Sequence, residues 1–159
     1  MALKADRYEF QTDISFFYNA GVAERGGVVC HSTTVGSGAA MDQGVNLVEY
    51  AAANGKVPVG VLLNDVVNKD LTTTHLNRYK NEVQKGGKVT LLRKGYVVTN
   101  MLAADATVVG TEVAFASDAD PGLITNSGDP HQAIGRFLSA KDADGYAKVE
   151  VNLPHNTDA

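Results

Sequence analysis

The chain has one cysteine, Cys30, and no tryptophan among its 159 residues. A lone thiol excludes an internal disulfide framework, so packing or assembly must stabilise the fold. Positive charge is not in excess either: 14 Lys and Arg stand against 18 Asp and Glu, a formal charge of −4, with no basic cluster. Binding to nucleic acid rests on neutralising phosphates with a basic stripe, so no nucleic-acid partner is expected. No apolar run approaches the roughly 20 residues that cross a bilayer, so no membrane partner is expected. The opening MALKADRYEF lacks the apolar stretch and small-residue cleavage pattern of a secretory signal.

Glycine, by contrast, is plentiful. Sixteen glycines, with many Val, Thr and Ala, favour strands and turns over helices. The length suits a single domain with a real core. The segment SAKDADGYAKVEVNL, Ser139 to Leu153, decides between two readings of an acidic, glycine-containing stretch. A calcium loop of the EF-hand type needs glycine at its sixth position and glutamate at its twelfth. Counting from Asp142, glycine already stands fourth and Leu153 twelfth, so a turn is expected and not a metal site. Strict alternation follows, with Ala147, Val149, Val151 and Leu153 on one face and Tyr146, Lys148, Glu150 and Asn152 on the other. That period of two belongs to a half-buried strand.

From Gly26 the chain repeats itself weakly. RGGVVCHST opens one unit and VPVGVLLNDVV closes it; RKGYVVTNM opens a second and QAIGRFLSAKDADGYAKVEV closes it. Gly27 to Gly60 and Gly95 to Gly135 are the matching intervals. Two related β motifs of this kind predict a small β-barrel or β-sandwich, with glycines marking bulges or close backbone approach. Between the units, Leu76, Tyr79 and Val83 recur at helical spacing after Thr72 or Thr73 and before Gly86-Gly87. One short helix is expected near residues 73 to 84. Lys94-Gly95 reads as a bend or hairpin turn, VVGTEVAFAS as a strand, and SDADPGLITNSGDP as a turn-rich loop.

The domain division is residues 1–25 and residues 26–159. The first segment concentrates aromatics: Tyr8, Phe10, Phe16, Phe17 and Tyr18. Two readings stand side by side, a first strand whose aromatics enter the chain's own core, and an arm that packs on a partner. Phe16, Phe17 and Tyr18 are consecutive, so an extended backbone cannot send all three to one face. They are the candidate partner-interface residues.

Motifs that carry chemistry are weak. VGSGAAMDQG lacks the third glycine of a dinucleotide loop, where Met41 stands, and any Gly-Lys-Ser/Thr. Val35 occupies the position where a nucleophile elbow around Ser37 would need glycine. His31, His75, His131 and His155 show no zinc-ligand spacing. Cys30 is a candidate nucleophile only with a distant histidine, and a small buried hydrophobe is the better reading. Asp65, Asp70, Asp118, Asp120 and Asp129 stand at strand ends and turns, where aspartate bonds nearby backbone. No catalytic, metal-binding or cofactor-binding residue is assigned, no cofactor is expected, and the chain is not expected to be an enzyme.

Several stretches, taken in order, resemble the decoration, or cement, proteins of tailed-bacteriophage heads: FFYNAGVAERGGVV, GSGAAMDQG, VPVGVLLNDVVN, HLNRYKNEVQKGGKVTLLRKGYVVTN and IGRFLSAKDADGYAKVEVNLP. The resemblance runs from about Phe16 to Pro154. It implies a small, β-rich, non-enzymatic protein of the virion, bound to the major capsid protein on the outer surface of the head and often trimeric. A β-rich tail or fibre protein and a carbohydrate-binding module are the competing readings. The resemblance carries no individual contact residue onto this chain.

Overall fold

A computed structural model describes residues 3–21, 23–32, 46–51, 56–65, 82–103 and 111–153. It is mainly β, as the composition suggests. Eleven strands are present among the described residues: β1 (Leu3–Tyr18), β2 (Ala23–Glu24), β3 (Val28–His31), β4 (Leu47–Glu49), β5 (Pro58–Asp65), β6 (Glu82–Val83), β7 (Lys88–Thr99), β8 (Val113–Ala116), β9 (Ile124–Thr125), β10 (Ala133–Phe137) and β11 (Ala147–Asn152). Nine of them form one mixed sheet in the order β1-β4-β3-β5-β7-β11-β10-β8-β9, and β2 pairs with β6 apart from it.

β7 organises the sheet. Its first half pairs with β5 and its second half with β11 on one edge, while β1 runs antiparallel along the other edge from Leu3↔Thr99 to Phe17↔Lys88. At its far end β1 also pairs with β4, in parallel, through Phe17↔Leu47 and Tyr18↔Val48. The pairings therefore run β1–β4–β3–β5–β7 and return to β1, a closed circuit of five strands. Beyond β7, a bridge between Leu102 and Ile124 links the chain to β9, completing a path through β8, β10 and β11.

Two hydrophobic clusters flank the middle of the sheet. Val28, Cys30, Val61, Leu63 and Leu92 enter the larger cluster, whereas Val29, Val59, Leu62 and Leu91 enter the smaller. Neighbouring residues of β3 and β5 thus go to opposite cores, which explains their unbroken apolar sequences: a strand covered on both faces has no polar side to alternate with. β11 is covered on one face only. Ala147, Val149 and Val151 are buried while Glu150 is exposed, as its period of two requires. Burying each of the two valines contributes roughly 1.5–3 kcal/mol before the entropy of ordering is set against it.

The turn before β11 is built by Asp142. Its carboxylate accepts from the Asp144 and Tyr146 amides at 3.0 and 2.8 Å, and Gly145 takes a φ of +85°. The carboxylate is used inside its own loop, and the pull of the Tyr146 amide, with Lys4 nearby, holds its pKa below the ordinary value.

Three expectations change. Most of the segment from 73 to 84 lies outside the described residues, but its end, Glu82–Val83, is strand and pairs with Ala23–Glu24. Lys94-Gly95 is not a turn: β7 runs straight through it, because β1 and β11 hold both of its edges there. Glycine is needed at 95 for another reason. Its φ is +145°, and a Cβ would collide with the Tyr8 carbonyl oxygen. The two units read from the sequence are also wired differently, since β3 pairs directly with β5 whereas β11 separates β7 from β10. What they share is close approach at glycine, clearest at Gly135, where a Cβ would strike the Glu150 carbonyl oxygen.

Candidate functional site

The three consecutive aromatics divide between faces, as an extended backbone requires. Tyr18 is 3% exposed and belongs to the smaller core, and Phe16 packs against that core with its ring 5.6 Å from His31. Phe17 is half-buried, with the Lys88 ammonium 5.7 Å from its ring. The most exposed large apolar residues of β1 lie earlier: Tyr8 (52%), Phe10 (64%) and Ile14 (52%). Every residue from Ala5 to Thr12 is exposed, although all are in strand.

Register explains how these side chains come together. Tyr8 is opposite Tyr96, Tyr96 is opposite Glu150, and Glu150 is opposite Arg136. One transverse row therefore crosses β1, β7, β11 and β10 on the face away from the larger core. On the covered face the equivalent row is Val97, Val149 and Phe137, all fully buried.

Rings and cations interleave on the outer face. Tyr8 and Tyr96 stack with centroids 5.9 Å apart, and Phe10 lies 6.3 Å from Tyr8. Lys148 stands 4.0 Å over Tyr96, Lys94 4.9 Å over Phe10, and Lys4 4.3 Å over Tyr146. Acidic partners border them: Lys148 reaches Asp6 at 3.7 Å and Lys4 reaches Asp142 at 3.4 Å. Cation–π pairs of this kind contribute about 0.5–1 kcal/mol each when exposed and more when water is excluded. Such a face gains most when another surface covers it. At the far end of the row a depression of about 390 Å³ is lined by Val113, Ile134, Gly135, Arg136, Glu150 and Asn152.

Groups that sequence singled out for chemistry have other uses. Cys30 is fully buried, and burial pushes its thiol up to about 11 even with Lys56 nearby, which leaves it protonated at neutral pH. His131 and Asp129 are both exposed and 3.7 Å apart, and the Asp129 carboxylate accepts from the His131 amide. Asp118 accepts from the Gln132 amide group. The Asp120 backbone amide donates to the Ser117 hydroxyl oxygen. VGSGAAMDQG, His75, His155 and Asp70 lie outside the described residues. Among the described residues no three His, Cys, Asp or Glu side chains gather as a metal site would require.

Comparison with known families places the chain as a whole. A family model described as structural cement protein (E217 gp24/Pam3 gp6) matches residues 10–152 of the 159. No curated protein matches the chain. The match spans most of the sequence, and the chain belongs to this phage cement family.

Proposed function

From that membership, we propose that the chain binds the outer surface of the capsid, contacts the major capsid protein, and holds neighbouring shell subunits together. It acts by contact and not by turnover. The observation that carries this reading is the outer face of β1, β7 and β11, where Tyr8, Phe10 and Tyr96 are interleaved with Lys94 and Lys148. Tyr and Phe are among the side chains enriched in protein interfaces, and Tyr is among those that most often anchor them. A monomer gains little from keeping Phe10 in water.

The energetics suit a cement. Contacts between shell subunits are many and individually weak, and a protein that bridges two of them gains from effective concentration. Binding only the assembled shell stabilises that state by mass action. A homo-oligomer would multiply these contacts. The test is to add purified protein to heads that lack it and image them. Density on the outer surface of the shell is expected; density at the tail or inside the shell would contradict the proposal.

A further inference from the structure

We propose that two copies of this chain pair edge to edge through β1, in antiparallel register centred on Tyr8, to form a two-fold dimer. β1 is 16 residues long, and only one of its edges is used along most of its length. β7 takes that edge throughout, and β4 takes the other edge only at Phe17 and Tyr18. Among the described residues, Leu3 to Ile14 therefore present an open row of backbone donors and acceptors, and the Ser15 amide beyond them is taken by the Asp13 carboxylate at 2.7 Å. An open edge of this length is a template for another strand.

The charges indicate which strand. Proteins commonly guard such edges with charged side chains, and β1 carries Lys4, Asp6, Arg7, Glu9 and Asp13. These charges also select a partner, because opposite charges across a strand pair stabilise and like charges repel. Around a two-fold axis perpendicular to the sheet, residues pair so that their numbers add to a constant. Centring on residues 6, 7 or 9 would oppose Asp6, Arg7 or Glu9 to itself. Centring on Tyr8 instead sets Arg7 of each copy opposite Glu9 of the other. These two residues are already joined within the chain at 2.9 Å, so the pair becomes a closed square of alternating charge. The same stretch is the regular part of the β1–β7 ladder. Arg7, Tyr8 and Glu9 match Val97, Tyr96 and Gly95 without a shift, whereas the register slips on either side.

The symmetry has a consequence for the capsid, and this step rests on the proposed function. A two-fold axis perpendicular to the sheet points both aromatic faces the same way, doubling the width of the contact surface and making it bivalent. Edge pairing of this type closes at two copies, in place of the three-fold assembly that the resemblance implies.

The experiment measures the mass of the free protein by sedimentation for wild type, Arg7→Glu, Glu9→Arg and the double exchange R7E/E9R. Wild type and the double exchange are expected to be dimers. Each single variant places like charges opposite one another and is expected to weaken the dimer about tenfold or more. Mixing the two single variants restores opposition in a mixed pair, so the mixture is expected to regain dimers while circular dichroism stays unchanged. A monomeric or trimeric wild type, a single variant that dimerises as wild type does, or a mixture that fails to associate would overturn the inference. Binding to heads is measured separately, so a monomer that still decorates heads overturns the pairing and leaves the proposed function standing.

Discussion

Tyr8 stacks on Tyr96 with ring centroids 5.9 Å apart and an interplanar angle of 23°, joining the exposed middle of β1 to the shared strand β7. The backbone beneath the pair is equally close, since the Tyr8 carbonyl occupies the space that a Cβ on Gly95 would need. The outer face is thus a rigid, paired surface and not a loose tail, which is what an interface anchor requires.

Replacing Phe10 by alanine tests that face. The ring is 64% exposed, so its loss is expected to change folding stability by no more than about 0.5 kcal/mol. Affinity for undecorated heads is expected to fall by about 30-fold, as for an interface hot spot. Thermal melting and co-sedimentation with heads give the two values.

Gly135→Ala is expected to behave in the opposite way. The added methyl meets the Glu150 carbonyl oxygen and must push β10 off β11. A loss of about 2 kcal/mol or more in denaturant unfolding is expected. Phe137→Ala, which empties a fully buried site in the larger core, is expected to cost about 3–5 kcal/mol. A Gly135→Ala protein as stable as wild type would contradict the close approach of β10 and β11.

Asp142 gives a pH dependence with a defined sign. Its pKa is lowered in the folded state, chiefly by the Tyr146 amide, so the carboxylate form is favoured by folding. Its contribution is present above the unfolded value of about 3.9 and is lost as pH falls through the folded value. Asp142→Ala is therefore expected to melt below wild type at pH 7, with the gap closing as pH drops below about 4. A gap that widens in acid would reverse the assignment.

Cys30 is expected to resist alkylation in the native protein at pH 7.5 and to react on unfolding, because its thiol is buried and raised to about 11. Mass spectrometry before and after denaturant measures this. Rapid native labelling would mean that β3 opens.

These residues also explain how far the sequence could be read. β11 and its turn were legible because one face is covered and the Asp142–Gly145 chemistry is local. β3 and β5 were recognisable as strands, but nothing in an unbroken apolar run tells which core each residue enters. Gly95 was misread because a glycine inside a strand and a glycine in a turn look alike, and only the partners β1 and β11 distinguish them. At Phe16 to Tyr18 the alternation was legible but not its direction, and Tyr18 enters the chain's own core. The outer anchors Tyr8 and Phe10 stood among the aromatics already noted, at positions of equal parity beside Arg7 and Glu9. That signal marks a strand with no covered face, but the stacking on Tyr96 depends on a pairing 88 residues away.

The central claim is that this protein holds a capsid shell together from outside, and shell stability tests it most directly. Heads that lack the protein are heated with and without added purified chain, and release of packaged DNA is followed by dye fluorescence. Release is expected at a higher temperature when wild type is added, with little gain from Phe10→Ala. Identical release temperatures with saturating wild-type protein bound to the heads would contradict the account.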